Sequence, residues 1–302
     1  MIEARVIAVI VAYHPDVATV GNLLSILQGQ TYRVILVDNG SSNSFKSWLA
    51  DRDQDAIDTI FLGENRGIAA AQNVGIERAR QYRPSHILLL DQDSLPATDM
   101  VELLLDATQQ MASQGHKVAA VGPRYLDSRQ QNPPPFIQLR GLQVRRQPCS
   151  VPGAIVPVDY LIASGSLIPI ASLNEVGPML ESLFIDYVDI EWGLRAKEEG
   201  FQSFGVCAAH MRHDLGDKPI EFAGKAFLVH SPLRHYYMFR NAVWLYRQPS
   251  LPLSWKLADG WRLLLKYVFY SVFTKPRPQH LRMMTLGIWH ALSNRLGRFG
   301  PS

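Results

Sequence analysis

The stretch 86–94, HILLLDQDS, decides the fold: an apolar run from Ile87 to Leu90 stops abruptly at two carboxylates, Asp91 and Asp93, one residue apart. An apolar run of that length without polar alternation predicts a strand buried on both faces, as parallel sheets require. The carboxylates then sit where the strand leaves the sheet, which is the edge at which open α/β sheets bind ligands. Alternate carboxylates at such an edge can turn toward one hard cation, which fills the rest of its shell with phosphate oxygens and water. A nucleotide diphosphate is the ligand that calls for such a cation. The plainer use of the same residues is a helix cap for Asp91 and a solvated turn for Asp93, and Asp-x-Asp alone does not decide between them.

Upstream the pattern repeats. Val6 to Ala12 predicts a buried strand ended by Tyr13, His14 and Pro15, and Val17 to Gln28 carries Val20, Leu23, Leu24 and Leu27 at helical spacing. Val34 to Val37 predicts a second strand, again ending on a carboxylate, in VDNGSSN, and Asp38 with Asn39, Gly40 and Ser41 reads as a tight turn opening a helix. Ile57 to Leu62 predicts a third strand, followed by GENRG and an Ala-rich helix from about Ile68. Strand and helix alternate with connections long enough for parallel crossovers, so the expected class is α/β, a mostly parallel sheet flanked by helices. Tyr13, Asp38, Asn65, Arg66, Gly67, Asp91 and Asp93 all follow strands, and such positions converge on one edge of a parallel sheet. There Asp38 can accept from the ring N–H of a uracil or thymine. Arg66 beside Gly67 can come close to phosphate, because glycine presents no side chain.

Downstream, Asp99 to Met111 predicts a helix and Val118 to Gly122 a strand, while 126–152 turns polar and proline-rich and is expected to form loops and short strands. A second centre follows in ESLFIDYVDIEWGLRAKEEGF, where Asp186 and Asp189 open an amphipathic helix. A carboxylate at a helix N-terminus is held rigidly and kept ionised by the dipole, as an acceptor of a hydroxyl proton must be. Capping explains one of these acids, but not Asp186, Asp189 and Glu191 together.

The chain has 302 residues and a formal charge of +3, yet residues 233–302 hold eleven Lys and Arg against one acid, Asp259. Two cysteines, Cys149 and Cys207, suggest neither a disulfide framework nor a zinc site, and a reducing cytosolic compartment is the expectation. The N-terminus does not read as a signal peptide, and no segment reaches the roughly eighteen apolar residues of a spanning helix. Within the basic tail, Arg234, Tyr236, Tyr237 and Arg240 form a basic, aromatic helix start suited to gripping a diphosphate. Two further helical segments mix Trp, Tyr and Leu with Lys and Arg. They suit an anionic membrane surface or a homodimer interface, and they match no nucleic-acid module.

In their order and spacing, VIVAYHPD, LVDNGSSN, ENRGIAAAQNVGI, LLLDQDS, ASGSLIP, LFIDYVDIEWGLRA and SPLRHYYMFRN resemble the rhamnosyltransferase branch of the family 2 glycosyltransferases, over nearly the whole chain. The resemblance implies a GT-A fold, with a catalytic domain over 1–230 (a nucleotide-sugar half over about 1–125, an acceptor half over about 126–230) and a helical extension over 231–302. It implies Mg²⁺ or Mn²⁺, a dTDP-L-rhamnose donor, inversion at the anomeric carbon, and an acceptor hydroxyl on a glycan or lipid-linked glycan of a bacterial surface polysaccharide. Such an enzyme would be cytoplasmic, peripheral on the inner membrane. Matched to the family motif, Asp189 falls at the catalytic base, with Glu191 and Asp186 as supporting acids. Ser164 and Gly165 fall beneath the donor. His213, 24 residues after Asp189, falls at a metal ligand beside Asp91 and Asp93, and His210 competes for that role. The rivals are a catalytically inactive nucleotide-sugar-binding scaffold at a membrane surface and a processive synthase. The latter needs spanning helices and a Gln-x-x-Arg-Trp motif, which the sequence lacks.

Overall fold

The computed structural model describes residues 4–50, 56–126, 136–140, 143–147, 149–151, 153–212, 220–222, 225–227 and 230–300. In chain order the elements are β1 (Val6–Ala12), α1 (Val17–Leu27), β2 (Arg33–Asp38), α2 (Asn43–Ala50), β3 (Ile57–Phe61), α3 (Ile68–Arg80), β4 (His86–Asp91), β5 (Leu95–Pro96), α4 (Met100–Ser113) and β6 (Val118–Leu126). There follow β7 (Phe136–Arg140), β8 (Gln143–Gln147), β9 (Ile155–Val158), β10 (Leu167–Pro169), α5 (Ile170–Val176), α6 (Val188–Glu198), β11 (Gln202–Arg212), β12 (Ile220–Phe222) and β13 (Lys225–Phe227). Three helices close the chain: α7 (Pro232–Tyr246), α8 (Leu253–Phe273) and α9 (Arg277–Leu292).

Nine strands make one sheet in the order β3-β2-β1-β4-β10-β6-β11-β5, with β9 paired alongside β11. The first four run parallel, as the alternating strand and helix pattern requires. Every residue of β1 is buried. Because side chains alternate across a strand, Ala8 and Ile10 pack with Leu36, Leu88 and α1 on one face, while Ile7, Val9 and Val11 pack with Ile35, α3 and Trp192 of α6 on the other. Helix α1 starts where Asp16 accepts from the Thr19 N–H at 2.8 Å, and it buries Val20, Leu23, Leu24 and Leu27 against the sheet. Each such leucine, taken out of water, stabilises the fold by about 2 kcal/mol.

Past β4 the sheet turns mixed. β10 slots antiparallel between β4 and β6, and β5 and β9 run antiparallel to β11. That pairing corrects the expectation for the cysteines. β9 lies along β11, with Cys207 N–H donating to Ala154 O at 2.9 Å, and this brings Cys149 beside Cys207 across 58 residues; the two form a disulfide with Cα atoms 5.4 Å apart. A two-cysteine sequence carries no framework pattern, and only the strand register makes the pair.

The last three helices share a core with the sheet's own helix: Tyr187 and Leu194 of the α6 region pack among Met238, Phe239, Leu245, Trp255 and Met284. Among the described residues no helix is long and apolar enough to cross a membrane.

Candidate active site

The loops after β1, β2, β3 and β4 meet at one edge, and backbone donors tie them together. Asp38 is fully buried at the end of β2; its Oδ1 accepts from Ser41 N–H at 3.0 Å, while its Oδ2 is buried with no partner among the described residues. Next to it, Asn39 Oδ1 accepts from Arg66 N–H at 2.8 Å, its amide donates to Asn65 Oδ1 at 3.2 Å, and Asn65 Oδ1 also accepts from Gly67 N–H at 2.9 Å. The Arg66 side chain stays exposed. Tyr13 is exposed too, and its N–H donates to Oε1 of Gln92, the residue between Asp91 and Asp93, at 2.6 Å.

Gly67 has φ +88°, which side-chain-bearing residues rarely adopt, and a Cβ there would lie 2.5 Å from Phe184 O. The close approach is held by a hydrogen bond, Ile68 N–H donating to that same carbonyl at 2.7 Å. The loop that carries Arg66 is thus seated on the turn that leads to Asp189.

Residues 163–166 form the seam between the two carboxylate centres. Ser164 Oγ accepts from Asp91 N–H at 3.0 Å and shares a 2.6 Å bond with Ser94 Oγ, while Ala163 N–H donates to Asp189 Oδ2 at 3.3 Å. Gly165 N–H donates to Leu89 O at 2.7 Å, and at φ +79° a Cβ would lie 2.8 Å from the Pro123 ring. Ser164 is therefore engaged in holding strand ends together, with 1% of its surface exposed. Tyr125, 6% exposed at the end of β6, donates to Ser164 O at 2.6 Å. Burial pushes its phenol well up, and the nearby charges of Asp189 and then Asp91 add to that, so this tyrosine senses both carboxylates. Its role was not visible in the sequence, where it is one more aromatic at a strand end.

Asp189 lies in the first turn of α6, where Ile190 N–H donates to its Oδ1 at 2.9 Å. Burial raises its carboxyl from 3.8 to about 6; the Ile190 and Ala163 donors pull the other way, and the charge of Asp186 pushes up again. Asp186 accepts from Arg234 Nε at 3.2 Å through Oδ1, while its Oδ2 is buried without a partner among the described residues. The turn into α6 is unusual, with Phe184, Asp186 and Tyr187 all at positive φ between 63° and 67°. Three non-glycine residues in that region cost on the order of 1 kcal/mol or more each, so something must hold them. α7 does. Asn241 donates to Leu183 O at 2.9 Å, Ile185 O at 2.7 Å and Asp186 O at 2.9 Å, and Arg240 donates to Leu183 O at 2.8 Å and Gly297 O at 2.5 Å. Tyr187 OH is anchored on Asp259 Oδ2 of α8 at 2.9 Å.

These contacts reassign several residues expected to touch ligand. Arg240 is 1% exposed and spends its guanidinium on loop carbonyls, and Tyr236 and Tyr237 are buried, bonded to His290 Nδ1 and to Phe299 N–H. Of the four residues expected to grip diphosphate, Arg234 keeps an exposed side chain, beside Asp186. Glu191 is 7% exposed and makes a paired bond to Arg195, 2.8 Å to Nε and 3.0 Å to Nη2, while Arg195 also donates to Val176 O and Pro178 O. It is committed to packing α6 against the chain after α5. Asp91 and Asp93 stand at the same edge, with oxygen donors that suit a hard divalent ion. His213 lies outside the described residues, and among the described residues no three His, Cys, Asp or Glu side chains gather as a metal centre. The last described residue before it, Arg212, is in register with Leu95, two positions after Asp93. His210 lies on β11, where its carbonyl accepts from Ala97 N–H at 3.0 Å.

Comparison with known proteins bears on the family and the fold. The glycosyl transferase family 2 model matches residues 8–157. The dTDP-rhamnosyl transferase RfbF of Shigella flexneri is 32% identical over 252 residues, 83% of this chain and 83% of that protein. The low-salt glycan biosynthesis hexosyltransferase Agl10 of Haloferax volcanii is 22% identical over 97% of this chain and 92% of its own. Among solved structures, GalNAc-T7 with UDP, GalNAc and Mn²⁺ superposes with a TM-score of 0.61 at 12% identity, over 96% of this chain and 56% of that one, so this chain spans about half its length. S. aureus TarS 1-349 in complex with UDP-GlcNAc superposes with a TM-score of 0.59 at 15% identity, over 95% and 81%. At such identities the likeness establishes the fold, a GT-A-like mixed sheet flanked by helices, with the additional C-terminal helices expected from the sequence.

Proposed function

Because this chain belongs to glycosyl transferase family 2, we propose that it is a metal-dependent inverting rhamnosyltransferase, moving L-rhamnose from dTDP-L-rhamnose to a hydroxyl of a glycan or lipid-linked glycan. The observation that carries this reading is the 163–166 seam: one short turn bonds to Asp91 N–H on one side and to the Asp189 carboxylate on the other. A diphosphate at the Asp91 edge and a hydroxyl at Asp189 then flank one sugar. Asp189 takes the hydroxyl proton as the acceptor oxygen forms its bond to the anomeric carbon, and the bond from that carbon to the diphosphate breaks with its electron pair on the leaving oxygen. A carboxyl held at about 6 is ionised at neutral pH yet basic enough to help, which is the compromise a general base needs.

In the same reading Asp38 Oδ2 accepts the thymine ring N–H, and Arg66, exposed above the Asn39 and Asn65 bonds, meets the phosphates. Asp91 and Asp93, with His213, would hold Mg²⁺ or Mn²⁺, which supplies positive charge against the departing diphosphate. Asp186 sets the local charge beside Asp189, and Arg234, bonded to Asp186, is the tail cation assigned to the diphosphate or acceptor. The enzyme's place in this reading is the cytoplasmic face of the bacterial inner membrane, which follows from the family resemblance and not from the cysteines, since these are paired. The organising domain reading is a catalytic body over 1–230 with the helices of 231–302 bracing its base-bearing turn.

The test is a purified-protein assay with Mn²⁺ and a panel of dTDP- and UDP-sugars, following both transfer to glycan acceptors and slow donor hydrolysis. Turnover with dTDP-L-rhamnose above the other donors supports the reading. Turnover with another donor alone removes rhamnose, and tight donor binding without any turnover establishes the inactive scaffold.

A further inference from the structure

The proposed chemistry leaves one large feature unused. Helix α8 has two apolar faces. Trp255, Leu263 and Tyr270 are buried in the core shared with α6 and α7. On the opposite side Leu257, Trp261, Leu264, Leu265, Val268 and Val272 are each between 47% and 62% exposed. Their spacing of three and four residues puts them on one continuous stripe about 22 Å long. Folding has no use for this second face, and a contiguous apolar stripe on a surface helix marks an interaction site.

The charge around it selects the partner. Asp259 is the sole acid of residues 233–302, and its Oδ2 is taken up inside the fold by the hydroxyls of Tyr187 at 2.9 Å and Tyr246 at 2.6 Å. The exposed charges of α8, of α9 and of the turn between them are then all cationic: Arg262 and Lys266, which directly follow Trp261 and Leu265, then Lys275 in the turn and Arg277 and Arg282 on α9. A second copy of the chain meeting this stripe would bring the same cations against each other with no carboxylate of the extension to offset them. An anionic lipid surface offers both things the helix lacks, acyl chains for the stripe and negative charge for its border. We propose that the exposed stripe of α8 is a docking face for an anionic phospholipid surface, on which the helix lies parallel to the membrane plane. The charged residues along the rest of the helix, Lys256, Asp259, Arg262 and Lys266, keep it from spanning.

This inference does not rest on the sugar or on the base assignment. It is tested with the full-length chain, since α8 supplies Asp259 to the core and truncation would disturb the fold. Co-sedimentation is measured with vesicles of phosphatidylcholine alone and of phosphatidylcholine with phosphatidylglycerol, at low and high salt. The wild type should sediment with the anionic vesicles and release as salt rises. Trp261→Gln, Leu265→Gln and Val268→Gln combined, all solvent-facing, should weaken the partition by about tenfold or more while the thermal unfolding midpoint stays in place. Arg262→Gln with Lys266→Gln should reduce the preference for anionic over neutral vesicles. Failure of the wild type to sediment, equal binding to both vesicle types, or unchanged binding of the triple variant overturns the proposal. So does sedimentation velocity that shows a dimer which the triple variant dissolves, since the stripe's occupant is then a second copy.

Discussion

Replacing Asp189 by Asn separates what the site costs from what it does. Burial holds the Asp189 carboxyl at about 6 instead of 3.8. Each pH unit of that difference is worth about 1.4 kcal/mol against the ionised form, so near neutrality and above the folded chain carries about 3 kcal/mol of unfavourable free energy there. Asn has no charge to desolvate. Its amide can accept from one of the two backbone donors, Ile190 N–H or Ala163 N–H, but turns an NH₂ toward the other, losing about 1 kcal/mol. The net expectation is a variant about 2 kcal/mol more stable than the parent at about pH 8. The folded state binds this proton more tightly than the unfolded chain does. The parent's stability from this group is therefore fully present below about 3.8 and is lost as pH climbs through about 6. The variant's advantage must shrink on acidification and be close to zero at about pH 4.5. Urea titrations at the two pH values measure it. In parallel, turnover should fall by about a hundredfold or more while donor affinity, read by calorimetry, holds. In the parent, turnover should rise with pH through about 6. An Asn variant less stable than the parent at the higher pH, or offset equally at both, refutes the burial argument; near-normal turnover moves the base to Asp186.

Other substitutions test the remaining assignments. Asp91→Asn and Asp93→Asn should each abolish the Mn²⁺-dependent part of nucleoside diphosphate binding in calorimetry, and unchanged affinity in both removes the metal assignment. Glu191→Ala breaks the paired bond to Arg195 and should lower stability by about 2 kcal/mol in urea, with turnover per folded molecule intact; a collapse in turnover would make Glu191 a working acid after all. Asn241→Ala strips the side-chain donor from the Ile185 and Asp186 carbonyls, while Leu183 O keeps Arg240, and should cost about 2 kcal/mol. It should lower kcat more than donor affinity, because the turn it releases leads to Asp189 and not to Asp38.

The parallel half was legible because each strand there is an apolar run that ends at once on a polar residue, so period and edge are read together in VDNG and LLLDQDS. The edge positions of Asp38, Arg66 and Asp91 and the first-turn position of Asp189 were reachable for the same reason: they follow from where elements end and begin. What escaped depends on contacts far apart in the chain. β10 is three residues, LIP, too short to show a period, and its antiparallel seat is fixed by neighbours on β4 and β6. The Cys149–Cys207 bridge follows from β9 lying on β11. Arg240 and Tyr236 look like ligand-binding residues by type, and only the carbonyls of 182–183 and of Gly297, with His290, show that their polar atoms are already spent. Glu191 and Arg195 stand four apart on one helix, a pattern that reads equally well as an acid in a site and as an ion pair.

The turn before α6 is gripped by Asn241 and by an arginine whose guanidinium also reaches the carbonyl of Gly297, 110 residues after Tyr187. Synthesis runs from the N-terminus, and segments fold as they emerge. The sheet edge with Asp38 and Asp91 is complete long before the residues that fix Phe184, Asp186 and Tyr187 exist. During its manufacture the chain therefore passes through a stage in which the parallel strands are made but the turn that leads to Asp189 is not yet held, and that turn is gripped only once α7 and Gly297 have emerged.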